Sequence, residues 1–86
     1  MAEKEITIIR RGTPRQEYLE YFLTLGGSLG ENGVITGPDW EVVLGEEREV
    51  FVCGKLLETE IIFRAEGKRC DELIQAFRAQ FLRAGG

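Results

Sequence analysis

Residues 56–64 carry the strictest pattern in the chain. Leu57, Thr59, Ile61 and Phe63 fall on one side of an extended backbone, and Leu56, Glu58, Glu60, Ile62 and Arg64 on the other. Alternation of this kind marks a strand of an antiparallel sheet with one covered and one wetter face. Such a strand needs a cover for its apolar side, and the chain supplies two. From Pro14 to about Leu25, Tyr18, Leu19, Phe22, Leu23 and Leu25 recur at helical spacing. From Arg69 or Cys70 to Ala84, the residues Cys70, Leu73, Ile74, Phe77, Phe81 and Ala84 form a second stripe.

The remaining elements follow from punctuation. Glu5 to Arg10 is rich in β-branched residues and predicts a first strand. Thr13 is placed as an N-cap, Pro14 as the first helical residue and Gln16, three residues after Thr13, as completing a capping-box spacing. Gly26-Gly27 stops the first helix. Residues 28–33 read as a turn-rich connector, Gly33 to Thr36 as a short strand and Gly37-Pro38-Asp39 as a turn. Trp40 to Leu44 predicts a strand with Trp40, Val42 and Leu44 on one face. Gly45-Glu46-Glu47 reads as another turn, and Arg48 to Cys53 as a further strand, whose unbroken Val-Phe-Val-Cys suggests a buried position. Asp71 and Glu72 are expected in the first turn of the last helix and Arg83 in its last. The order is strand, helix, four short strands, helix. It predicts an α+β domain, residues 1–86, with one antiparallel sheet and both helices packed on one of its faces.

Length and composition exclude more than they identify. Eighty-six residues suit one domain with a thin core. At 43% hydrophobic and 30% charged, the chain sits with soluble globular proteins rather than disordered ones. It has no apolar run of membrane-spanning length, and the charged stretch Met1-Ala2-Glu3-Lys4-Glu5 is unlike a signal peptide, so the expected address is the cytoplasm. Histidine is absent, which removes the commonest general base and zinc ligand. Cys53 and Cys70 form no CxxC pair and are expected as buried or half-buried free thiols. The net charge of −4 speaks against a nucleic-acid partner. Residues 39–60 are the acidic part, with seven carboxylates against Arg48 and Lys55. This is either a solvated sheet face or a surface that meets a basic partner.

Three groups of residues are candidates for function. Glu41, Glu58 and Glu60 are strand carboxylates that could form a partner contact, although such residues more often serve solubility and edge protection. Gly85 and Gly86 end the chain as the tail of a ubiquitin-like sulfur carrier ends, or as a helix simply stops. Trp40, with Phe51 and Phe63, could line a pocket between sheet and helices, against the alternative that all three are core. No metal or cofactor site is expected, since the glycine clusters match no phosphate loop.

Several segments carry a resemblance: Glu17-Tyr18-Leu19-Glu20-Tyr21 with Gly26-Gly27, Gly33-Val34, Gly37-Pro38, Trp40-Glu41-Val42-Val43, Cys53-Gly54-Lys55-Leu56, Glu66-Gly67, and Ala76-Phe77 with the closing Gly85-Gly86. Together, from about Ile6 to Gly86 and nearly ungapped, they resemble the C-terminal domain of MoaD-related proteins. There it follows a β-grasp sulfur-carrier domain of the molybdopterin synthase small-subunit type. The resemblance implies a fold like that of the TATA-box-binding protein and an association with molybdenum or tungsten cofactor biosynthesis. The carrier domain itself is not in this chain, so a carrier would be a separate polypeptide.

These readings converge on a small non-enzymatic interaction domain. Its expected partner is a MoaD-like sulfur carrier or a synthase subunit, met through the exposed sheet face and the acidic 39–60 region, and a homodimer is also open. The two alternatives are a sulfur carrier acting through Gly86 and a small-ligand module near Trp40, Phe51 and Phe63.

Overall fold

The computed structural model describes residues 3–82. Strand β1 (Glu3–Arg11) leads to helix α1 (Arg15–Thr24). A two-residue strand β2 (Ser28–Leu29), a short 3-10 turn (Glu31–Gly33) and β3 (Val34–Thr36) follow. Two long strands, β4 (Trp40–Phe51) and β5 (Lys55–Glu66), precede helix α2 (Gly67–Leu82). The five strands form one antiparallel sheet in the order β1-β5-β4-β3-β2. The α+β class, the single sheet and the helices on one face are as the sequence predicts.

The register explains why one face is apolar. Ile6, Phe63, Val42, Ile35 and Leu29 form one row across the sheet; Ile8, Ile61 and Leu44 form the next. Both helices press on these rows. Tyr18 and Phe22 from α1 and Cys70, Leu73, Ile74, Phe77 and Phe81 from α2 are buried there, with Ile6, Ile8, Leu19 and Tyr21 packed around them. Phe77 is the hub. Its ring lies 5.7 Å from Phe22, 5.3 Å from Phe63 and 5.0 Å from Phe81, and so joins both helices to the sheet. Leu23 and Leu25, expected on the apolar stripe, are exposed, because α1 buries only the side that carries Tyr18 and Phe22.

Four strands lie between the helices, as expected, but their membership differs. The segments 40–44 and 48–53 are one strand, because Gly45-Glu46-Glu47 is a β-bulge and not a turn. Leu44 pairs with Ile61 and Glu47 with Thr59, so β4 holds one residue more than β5 across this interval. The extra residue reverses which side chains face the helices. Trp40, Val42 and Leu44 do so before it, and Glu47, Glu49 and Phe51 after it. The strand supplied from the presumed connector is β2. Helix α2 starts at Gly67, ahead of the expected Arg69, so Asp71 and Glu72 lie beyond its first turn.

The ends of α1 are held differently from one another. Its C-terminus is a Schellman turn: Gly26 N–H donates to Leu23 O and Gly27 N–H to Phe22 O, with Gly26 at φ +95°. At its N-terminus the predicted capping box does not form. Thr13 is buried and Gln16 donates to Glu20. The cap comes instead from the bulge, where Glu47 Oε2 accepts from Arg15 N–H at 2.7 Å. The Arg15 guanidinium returns bonds to Gly45 O and Leu44 O at 2.8 and 3.2 Å. This exchange pins the start of α1 to β4.

Two measurements check this core. Phe77→Ala should cost about 3–5 kcal/mol in denaturant unfolding, since it removes the ring common to both helices. Gly37→Ala should cost about 1–3 kcal/mol, because a Cβ there would overlap the buried Trp40 indole.

Candidate functional site

The helices leave the other sheet face bare. Its centre is a band of Thr7, Ile62, Val43 and Val34, which share one row across β1, β5, β4 and β3. Ile62, Val43 and Val34 are half-buried although no helix lies on them, and Ile9 beside them is 56% exposed. Two charged rows border the band. On one side Arg64 bonds to Glu5 at 2.9 Å and to Glu41 at 3.4 Å. On the other, Glu58 takes Arg11 on one oxygen at 2.9 Å and Arg48 on the other at 2.6 Å. The bulge produces the second row, since it is what turns Arg48 toward this face.

These pairs change the meaning of the acidic segment. Glu58 is only 6% exposed and is spoken for by two guanidiniums, so it is not available as a free partner contact. Those bonds, from Arg11 and then Arg48, hold its carboxyl below the ordinary value despite partial desolvation. Glu41 shares Arg64 with Glu5. Glu60 is exposed and enters no ion pair among the described residues. Beside it lies a depression of about 410 Å³ lined by Ile9, Glu46, Arg48, Glu58 and Glu60. Sequence reasoning placed Glu60 on this face but missed Glu46, Ile9 and Arg48. The bulge that gathers them leaves no periodic signal.

The expected pocket around Trp40, Phe51 and Phe63 does not assemble. Trp40 and Phe63 are core, and the indole fills the space that side chains at Gly27 and Gly37 would otherwise occupy. Phe51 is 77% exposed near the tip of the β4–β5 hairpin, which overhangs the helix layer. The run that suggested burial, Val50 to Cys53, is the end of that hairpin, and Cys53 is exposed rather than covered. Cys70 is buried, its Sγ 3.8 Å from Phe63 O, and burial pushes its thiol up and away from reactivity. Gly85 and Gly86 lie outside the described residues. Among the described residues no three His, Cys, Asp or Glu side chains gather as a metal site, and no helix is long and apolar enough to cross a membrane.

A family model described as an archaeal MoaD-like protein matches residues 6–86. The chain belongs to that family. No curated protein and no solved structure matches it. This MoaD-like chain has one strand before its first helix and a 16-residue helix after its last strand. A β-grasp carrier instead places two strands before its helix. The family is therefore shared without the β-grasp order of elements.

The paired carboxylate sets a pH dependence. With its pKa lowered by folding, Glu58 contributes stability that is complete above the ordinary value of 4.5 and is lost as pH falls through the lower folded value. The melting temperature of the wild type should therefore drop more steeply below that pH than that of Glu58→Gln. Thermal scans of both proteins across the acid range measure the difference.

Proposed function

We propose that this chain is a non-enzymatic recognition module that docks a separate MoaD-type sulfur carrier on its bare sheet face, as an accessory to molybdenum or tungsten cofactor biosynthesis. The observation that carries the reading is the face itself. It joins a half-buried apolar band to two internally neutralised charged rows, and the depression beside the band carries Glu46 and Glu60, which enter no ion pair among the described residues. Apolar centres rimmed by polar residues are how surfaces recognise proteins. Membership in the MoaD-like family supplies the class of partner.

The arrangement favours a partner that presents a basic side chain to the Glu46–Glu60 depression and apolar side chains to Ile9, Ile62 and Val43. Neutralised rows fix orientation through their fixed pattern of donors and acceptors rather than through a broad acidic field. Under this reading Gly85 and Gly86 do not carry sulfur.

Calorimetric titration of the purified chain with a MoaD-type carrier tests the proposal. Glu60→Arg should weaken binding by at least about tenfold, ~1.4 kcal/mol, while leaving the circular dichroism unchanged. Removing Gly85 and Gly86 should leave the affinity intact. Absence of binding by the wild type, or dependence on the two glycines, overturns it.

A further inference from the structure

We propose that two copies of this chain pair through strand β1 about a two-fold axis at Thr7, joining their sheets into one. Strand β1 is an edge strand whose nine residues pair with β5 without interruption, so among the described residues no strand pairs with its other side. Gly12 N–H donates to Leu57 O just beyond the strand, and bonding alternates along an antiparallel pair. The even-numbered residues of β1 therefore bond to β5, and Glu3, Glu5, Thr7, Ile9 and Arg11 turn their backbone groups outward. Edge strands are protected by proline, a bulge, very short length or charged side chains. The first three are absent from β1, and its charges, Glu3, Lys4, Glu5, Arg10 and Arg11, stand at its two ends and leave Ile6 to Ile9 uncharged.

The occupant is a second copy because the strand is complementary to its own reverse. Centred on Thr7, antiparallel pairing sets Ile6 against the partner's Ile8, Glu5 against the partner's Ile9 and Glu3 against the partner's Arg11. All the outward backbone groups then meet outward groups. Lys4 falls opposite the partner's Arg10, but each is turned to its own helix: Lys4 to Asp71 at 2.9 Å, and Arg10 over the Phe77 ring and to Phe81 O.

Helix α2 agrees independently with the same axis. It runs alongside β1 in the same direction, with Asp71 beside Lys4 and Phe81 beside Arg10. Asp71, Gln75 and Arg78 lie on one stripe at i, i+4, i+7. The contact with Lys4 puts that stripe on the β1 side. A two-fold through Thr7 passes near Gln75, so it brings Asp71 toward the partner's Arg78, twice per pair. The backbone admits this register, and the helix charges single it out.

Sedimentation equilibrium over a concentration series tests this. The wild type should weigh as a dimer. Thr7→Pro loses an outward N–H and no bond to β5, and should raise the dimer dissociation constant by about 100-fold with an unchanged far-ultraviolet spectrum. Arg78→Glu should weaken dimers, and adding Asp71→Arg should restore them in part. Hydrogen exchange at Glu5, Thr7 and Ile9 should slow as concentration rises, a readout that remains if a variant fails to fold. A wild type that is monomeric at all concentrations, or a dimer without protection at those three amides, overturns the proposal. Neither result decides carrier docking, which uses the side chains of the bare face, Thr7 and Ile9 of β1 among them, and not the outward backbone groups of the edge.

Discussion

Five aromatic rings converge on Phe77, from Tyr18, Tyr21, Phe22, Phe63 and Phe81. In this small domain the cluster joins α1, α2 and the sheet. Aromatic pairs in offset and edge-on geometry contribute about 0.5–1.5 kcal/mol each beyond their burial. Their larger effect here is positional. With both helices committed to one side of the sheet, the other side has to be bare, and its apolar band has to be limited and rimmed with charge. The candidate site is thus a consequence of where the helices went.

What the sequence reveals is what periodicity can encode. The alternation of Leu57 to Phe63 and the stripe from Cys70 to Phe81 hold in the structure because each side chain faces a continuous layer. The pattern is silent where a feature depends on distant residues. Glu47 caps α1 from 32 positions away, so Thr13 and Gln16, with the right types at the right spacing, are passed over. Arg11 and Arg48 neutralise Glu58 across neighbouring strands, which no local window contains. Of the candidate site, Glu41 and Glu60 were legible as strand-face carboxylates. Their different fates, one paired with Arg64 and one unpaired among the described residues, were not.

Phe51 shows a second limit. Val50-Phe51-Val52 looks like a buried strand because hydrophobicity reports preference, not available cover. Strands of 12 residues reach about 40 Å at ~3.3 Å per residue, whereas a 16-residue helix spans about 24 Å. The hairpin therefore outruns its helices, in keeping with a molecule 43 Å long and 21 Å thick. Whatever residues occupy its tip are exposed.

The bulge at Gly45–Glu47 has a consequence of another kind. Every residue of β4 beyond it owes its facing to one unit of chain length. The carboxylate that starts α1 and the guanidinium that steadies Glu58 are neighbours in sequence on opposite sides of the sheet, and both sit correctly only while that unit is kept. The interval from Leu44 to Glu47 therefore matters for its length as well as for the carboxylate it carries. A chain one residue shorter there would have its distal hairpin read in the wrong phase.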